Sequence, residues 1–489
     1  MDRRDAIRTA AGVTAGLLAG VQGLAGQDRP APAAGRGQEA ELLIRGGRIV
    51  NADGSRDADV RVVGARIAEI GADLRPGPGA RVVDATGHRV LPGGIDPHAH
   101  LQGGFVDDLT TGTAAAVAGG ITTVGTFAYP RDGETPVDAM DRSIAEADAT
   151  AIGDVFFHAS SWPPTPAFAA MMPDLAARGQ PSHKVFMTRA DFAEHRGALT
   201  RVLHAARDAG VVTLVHCEDA GLLASALARL EAAGNTDLRW FAESRPVEAE
   251  VVATRDAVAL CAETRAPMHL VHLSSGASLD AARDPALGDI PLSIETRPLY
   301  LYFTEEWLRG PDGPLYVGQP PLRPAADVLA MWAGLSDGRI DMLATDHAPW
   351  TRAQKMDPAL HVGRLRPGVS DLRFVRPVLW SEGVARGRIT EERFVEVTAT
   401  AAARTFGLFP ERGVIREGAL ADLMILDPDR IHVVDASDDP SRSDYTPFQG
   451  WALRGWPVMT VRRGQVVFEG GRVTGQPGSG QAAIRTPRR

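Results

Sequence analysis

The chain is 489 residues long, with 44% hydrophobic and 23% charged residues, an ordinary balance for a soluble globular protein. Its net charge of −9 and the lack of a basic cluster in its body exclude a nucleic-acid binder. The length suits three average domains, or one α/β barrel of about 250 residues with a companion domain.

Residues 1–25 read as an export signal. Arg3-Arg4-Asp5-Ala6-Ile7-Arg8 is a basic opening with a twin arginine. A weakly apolar run from Ala10 to Ala25 follows, and Gly23-Leu24-Ala25 offers a small-x-small cleavage site. The many glycines and few leucines of that run favour the twin-arginine route over an ordinary Sec signal or a disordered basic N-terminus. That route exports folded proteins, which suits an enzyme loaded with metal before export to the periplasm or beyond. No later stretch is long and apolar enough to span a membrane.

Residues 26–40, rich in Pro, Ala and Gly, read as a linker. From Glu41 to Val90 short β patterns alternate with turns at Asn51-Ala52-Asp53-Gly54 and Asp84-Ala85-Thr86-Gly87. From about residue 92 to 409 strands and helices alternate. Strands are expected to end near His100, Thr126, His158, Met187, His216, His272, Glu295 and Asp346, with helices such as Phe192–Ala209 and Val247–Cys261 between them. Eight such steps predict a (β/α)8 TIM barrel, with its catalytic face at the strands' carboxyl ends. After Pro410 β patterns return. Residues 41–91 and 410–475 are therefore expected to form one small β-sandwich domain outside the barrel. The tail, 476–489, is rich in Gly and Gln without periodicity and reads as flexible. Cys217 and Cys261 are the only cysteines; they fall far apart in such a barrel and should be free thiols.

Histidines, an aspartate and one unusual lysine recur at the expected strand ends. His98 and His100 are two apart, so on a strand their imidazoles share a face. His216, His272 and Asp346 end later strands. Lys184 and Lys355 are the only lysines; arginine holds every other basic position. A lysine set in the apolar run Lys184-Val185-Phe186-Met187 points to amine chemistry that arginine cannot perform. Carbamylated by carbon dioxide, Lys184 would become a carboxylate able to bridge two cations. His269, three before His272, should face the other way on a strand and belong to the core or an interface. His347 and His158 either support a ligand or fill the core.

These motifs resemble the amidohydrolase superfamily, and within it the dihydropyrimidinase and hydantoinase family. The likeness rests on Gly93-Gly94-Ile95-Asp96-Pro97-His98-Ala99-His100, Asp107 to Ala116, Lys184-Val185-Phe186-Met187, Val215-His216-Cys217-Glu218, Val271-His272-Leu273-Ser274-Ser275 and Thr345-Asp346-His347-Ala348-Pro349. It continues in Thr405 to Pro410 and Asp444 to Gly450, and covers Glu41 to Gly478. The resemblance implies two divalent metals, zinc by default, although manganese, cobalt or iron suit such donors. His98, His100 and Asp346 would hold one metal and His216 and His272 the other, with carbamylated Lys184 between them. Asp346 would accept a proton from water and deliver it to the leaving nitrogen. The resemblance also implies a small-molecule substrate and a homo-oligomer, dimeric or tetrameric, with no membrane attachment once the signal is removed.

The substrate-reading positions depart from the family. Arg189 stands where a tyrosine polarises the scissile carbonyl. Gln319 stands where a serine helps hold the ring. Arg364-Leu365-Arg366-Pro367-Gly368 replaces an Ile-Pro-Asn-Gly element, and Arg297 replaces a cysteine. Arg189 and Arg297 could each clamp a carboxylate or polarise a carbonyl, or could form rim salt bridges. Three functions follow: hydrolysis of a cyclic amide such as a hydantoin or dihydropyrimidine; hydrolysis of a linear acidic amide, an N-acyl amino acid or dipeptide read by Arg189; or a non-catalytic scaffold.

The export reading has a direct test. Residues 1–25 should be absent from mature exported protein, and Arg3→Lys with Arg4→Lys should leave the protein in the cytoplasm. Cell fractionation showing unchanged export in a strain without the twin-arginine translocase would exclude that route.

Overall fold

The structure, a computed structural model, describes residues 40–488. The expected export signal, and the linker up to residue 39, lie outside the described residues. Five strands come first: β1 (Glu41–Asn51), β2 (Gly54–Val63), β3 (Arg66–Gly71), β4 (Arg81–Asp84) and β5 (Arg89–Pro92). The Asn51–Gly54 turn joins β1 to β2 in an antiparallel hairpin.

Eight parallel strands follow: β6 (Gly94–Asp96), β7 (Ile121–Ala128), β8 (Asp154–Ser160), β9 (Ser182–Phe186), β10 (Val212–His216), β11 (Met268–Leu270), β12 (Leu292–Thr296) and β13 (Met342–Leu343). They pair in chain order, as the alternating pattern predicts. Both faces are covered, one by helices and one by the barrel interior; every residue of β7 is buried, its three threonines included. The helix expected over Phe192–Ala209 occupies those residues, and Gly210, at φ +67°, ends it in the left-handed conformation glycine tolerates. The helix expected over Val247–Cys261 starts at Val247 and runs to Thr264, three residues beyond the expected end.

Closure between β6 and β13 is sparse. One parallel bridge joins Ala99 to His347, and the Asp96 carboxylate accepts the Thr345 N–H at 3.2 Å and the His98 N–H at 3.0 Å. The barrel seam is therefore made by the segments that carry His98, His100 and Asp346.

The chain end supplies β14 (Leu423–Val433), β15 (Ala452–Arg462), β16 (Gln465–Glu469) and β17 (Arg472–Val473). β14 pairs antiparallel with β5, Val90 opposite Ile425. Both chain ends thus build the β-sandwich domain through one hydrogen-bonded run of strands. Leu42, Ile44, Val60, Val62, Leu423, Ile425 and Val461 fill its own apolar core. Cys217 and Cys261 are buried free thiols. Among the described residues no helix is long and apolar enough to cross a membrane.

The tail corrects the sequence expectation of flexibility. Val155 N–H donates to Gln481 O at 2.9 Å and Ala483 N–H to Val155 O at 2.7 Å. Arg485, 2% exposed, donates through Nη2 to Phe157 O and Ser182 Oγ, each at 2.8 Å. Its guanidinium sits 4.6 Å over the Phe156 ring. Backbone hydrogen bonds, the side chains of Asp148, Asp154, Gln180 and Arg463, and the buried Arg485 hold this segment, contacts that leave no periodic apolar stripe in the sequence. Arg485→Ala should lower stability by about 1–3 kcal/mol, since it strands buried acceptors. Thermal melts should show the loss, and Arg488→Ala, at an exposed position, should melt like wild type.

Candidate metal centre

The site begins where β6 ends. His98 and His100 flank the bridged residue Ala99, so both imidazoles enter the barrel mouth, with ring centroids 5.5 Å apart. Each uses Nδ1 on a protein partner. His98 Nδ1 donates to Glu295 Oε1 at 2.5 Å, and His100 Nδ1 meets the Tyr129 hydroxyl at 2.8 Å. That leaves both Nε2 atoms facing Asp346 Oδ1, at 3.3 Å from His98 and 2.9 Å from His100. The donor atoms of these three residues lie within 4.8 Å of one another, a spacing one cation could span.

The second group comes from β9, β10 and the turn after β11. His216 is bound through Nε2 to Glu218 Oε2 at 2.6 Å, which leaves Nδ1 as its free donor. Arg245 grips Glu218 through two hydrogen bonds. Burial raises the Glu218 pKa, but Arg245 and His216 outweigh it and bring the carboxyl to about 2. His272 packs 4.5 Å from His216, centroid to centroid, and its buried Nδ1 has no partner among the described residues. Lys184 Nζ is also buried and unpartnered, between the rings of Phe127 and Phe186.

Burial sets the protonation of this cluster. It pushes His98 and His272 well below the ordinary imidazole value and lowers His216 against the pull of Glu218. Neutral imidazole is the metal-binding form. Burial also pushes Lys184 down to about 8, despite the carboxylates of Glu295 and Asp346. For Asp346 burial acts upward, but the Arg297 charge and the His100 hydrogen bond outweigh it, and the net shift is downward. Neutral nitrogen donors, an ionised carboxylate and orphaned buried nitrogens together fit divalent cations.

One cavity is lined by all six residues, His98, His100, Lys184, His216, His272 and Asp346, with Phe105, Phe186, Gln319, Ala348, Pro367 and Gly368 around them. Of the three positions singled out for substrate, only Gln319 faces it. Arg189 does not: its side chain is 48% exposed, 3.6 Å from Asp191, with its guanidinium over the Trp162 ring. The reading of Arg189 as a substrate clamp is thus corrected to a rim residue; stacking on Trp162 and pairing with Asp191 turn it outward. Arg297 is corrected too. It is fully buried and lies behind Asp346, 3.0 Å from Oδ2, outside the cavity lining.

His158 and His269 are buried in the barrel interior. His158 bridges Ser182 Oγ and Pro97 O. His269 meets Ser293 Oγ at 2.8 Å and Glu295 Oε2 at 2.9 Å, so it braces the carboxylate that holds His98. His347 pairs through Nε2 with Asp107 at 3.0 Å. Sequence reading passed over Glu295, Glu218, Tyr129 and Arg245. Only Glu218 carried a usable signal, two residues after His216. Lys355 also went unassigned. Its Nζ donates to Val317 O, Arg366 O and Gly368 O at 2.7–2.9 Å, tying the segment before Gln319 to the Pro367-Gly368 wall. Burial pushes its pKa well down, yet three converging carbonyls call for the three protons of an ammonium.

Comparison with known proteins agrees with this geometry. Residues 89–467 match the model of the amidohydrolase family. The chain is 33% identical over 454 residues to a D-phenylhydantoinase of Escherichia coli, covering 91% of this chain and 98% of that protein. Among solved structures, a D-hydantoinase (dihydropyrimidinase) from Thermus sp. superposes with a TM-score of 0.87 at 30% identity, over 91% of this chain and 99% of that one. An L-hydantoinase (dihydropyrimidinase) from Arthrobacter aurescens gives 0.83 at 28% identity, with the same coverage. With its eight-stranded barrel, its two-ended β-sandwich and matches that run nearly end to end, the chain belongs to the amidohydrolase family, in its hydantoinase and dihydropyrimidinase group.

Proposed function

We propose that this protein hydrolyses the C–N amide bond of a small cyclic amide, of hydantoin or dihydropyrimidine type, at a binuclear metal centre. The observation that carries the reading is the convergence of six donors on one cavity at the carboxyl ends of the barrel strands. His98, His100 and Asp346 would hold one cation, His216 and His272 the other, with carbamylated Lys184 bridging them. Zinc suits imidazole and carboxylate donors. Bound cations supply Lewis acidity and bring the pKa of water toward neutrality.

The chain's own residues do the rest. A Lys184 amine held near pKa 8 is partly neutral at physiological pH, and the neutral amine adds carbon dioxide to give the carbamate and a proton. Asp346 takes the proton of the attacking water and returns it to the ring nitrogen as the C–N bond breaks. Gln319, which faces the cavity and offers both an amide N–H and a carbonyl, suits the edge of a cyclic amide. Phe105 and Phe186 form an apolar wall that limits water.

The departures from the family bear on which cyclic amide is accepted. Arg189 stands outside the cavity, so it offers the scissile carbonyl no substitute for the family's tyrosine. The reading of a linear acidic amide loses its main support for the same reason. A non-catalytic scaffold has no need of six converging donors. By the resemblance to its family the protein would assemble as a dimer or tetramer, and by its twin-arginine opening it would act in the periplasm or outside the cell.

Two measurements test the reading. Metal analysis of purified protein should find about two divalent ions per chain, and fewer in Lys184→Arg, which keeps the charge but cannot form a carbamate; equal loading in both would sink the bridging role. Turnover of dihydrouracil or phenylhydantoin should exceed that of N-acyl amino acids, and the reverse order would overturn the cyclic-amide assignment.

A further inference from the structure

Asp346 occupies an unusual backbone position. It follows the two-residue strand β13 at φ +48°, in the left-handed region that a non-glycine residue adopts only when its surroundings impose it. Its carboxylate also has a defined orientation: Oδ1 alone faces the histidine pair, 2.9 Å from His100 Nε2 and 3.3 Å from His98 Nε2. A single side chain touches both features. Arg297, one residue past β12 and fully buried, donates through Nε to Thr345 O at 3.0 Å. Its Nη1 forms an ion pair with Asp346 Oδ2 at 3.0 Å.

Nη1, held by the ion pair alone, and Nη2 are buried and make no hydrogen bond among the described residues. A Cβ on Gly318 would lie 2.9 Å from Nη1, so that glycine makes the space Arg297 fills. The Tyr300 ring lies 5.8 Å from Cζ. Arg297 is fully buried and lies outside the cavity lining, with Asp346 between it and the cavity.

We propose that Arg297 is a positioning residue for Asp346. It fixes the backbone through Thr345 O and holds Oδ2, so that Oδ1 alone is presented to the metal and to the water proton. This chain thereby orients its Asp346 from behind with a guanidinium. The inference rests on the metal-centre reading for its catalytic consequence, but not for the orientation itself.

The test uses the full-length mature protein. Arg297→Met removes both contacts at similar length; Arg297→Lys keeps the charge but cannot make both contacts at once. In Arg297→Met, kcat on the best cyclic-amide substrate should fall by about 10- to 100-fold, the usual effect of losing a partner that orients a metal ligand, with KM unchanged. Chelator competition should strip one of the two ions faster by a similar factor. Arg297→Lys should lie between. A crystal structure of metal-free Arg297→Met should show Asp346 Oδ1 withdrawn from His100 Nε2. Persistence of the wild-type contact there would overturn the proposal, whether or not the wild type binds metal. If Arg297→Met does not fold, wild-type kcat in Arg297→Lys would overturn it equally. Absence of metal from the wild type would instead overturn the binuclear reading and leave the crystal structure to decide Arg297.

Discussion

Glu295 holds three parts of the site at once. One oxygen accepts His98 Nδ1 at 2.5 Å and the backbone N–H of His272 at 3.1 Å; the other accepts His269 Nε2 at 2.9 Å. A fully buried carboxylate is costly unless hydrogen bonds satisfy its oxygens, and this one is satisfied only if the ligand segments sit where they do. His98 and His272 come from different strands and serve different halves of the proposed centre. A shared acceptor therefore ties the two directly to each other.

Paired support recurs around the cavity. Tyr129 holds His100, Glu218 with Arg245 holds His216, and Arg297 holds Asp346. Strand β12 gives no cavity-lining donor, yet Glu295 and Arg297 from its end brace His98, His272 and Asp346. Protein contacts thus fix which nitrogen of His98, His100 and His216 is left free. Such partners orient the ligands of a metal site and set which ring nitrogen is offered.

The two lysines show how surroundings divide one chemistry. Both are fully buried. Lys355 meets three carbonyl oxygens and acts as a fixed cation that joins two loops beside Gln319. Lys184 meets none, and its amine is available for covalent chemistry. A chain that uses arginine everywhere else keeps lysine at these two places. A compact three-proton donor fits converging carbonyls, and an amine, unlike a guanidinium, loses its proton near neutrality when buried.

The sequence by itself determined the barrel, the two-ended β domain and six residues that the structure brings to one cavity. These follow from short-range rules: short β patterns alternating with helical ones, Gly and Asn at turns, and ligand residue types at strand ends. Tertiary structure decided everything that depends on direction. His269 was expected to face away from His272, because side chains alternate along a strand; β11 ends at Leu270 and His272 turns at φ +42°, so both enter the interior. Arg189 and Arg297 read alike in sequence, yet Trp162 and Asp191 draw one to the rim while Gly318 and Asp346 make room for the other in the core. The tail lacks any periodic signal because backbone bonds to Val155, the Asp148 and Asp154 carboxylates and the buried Arg485 hold it among other polar contacts. Periodicity records which face of an element is apolar; it carries no information on contacts between residues hundreds of positions apart, and those contacts orient the site.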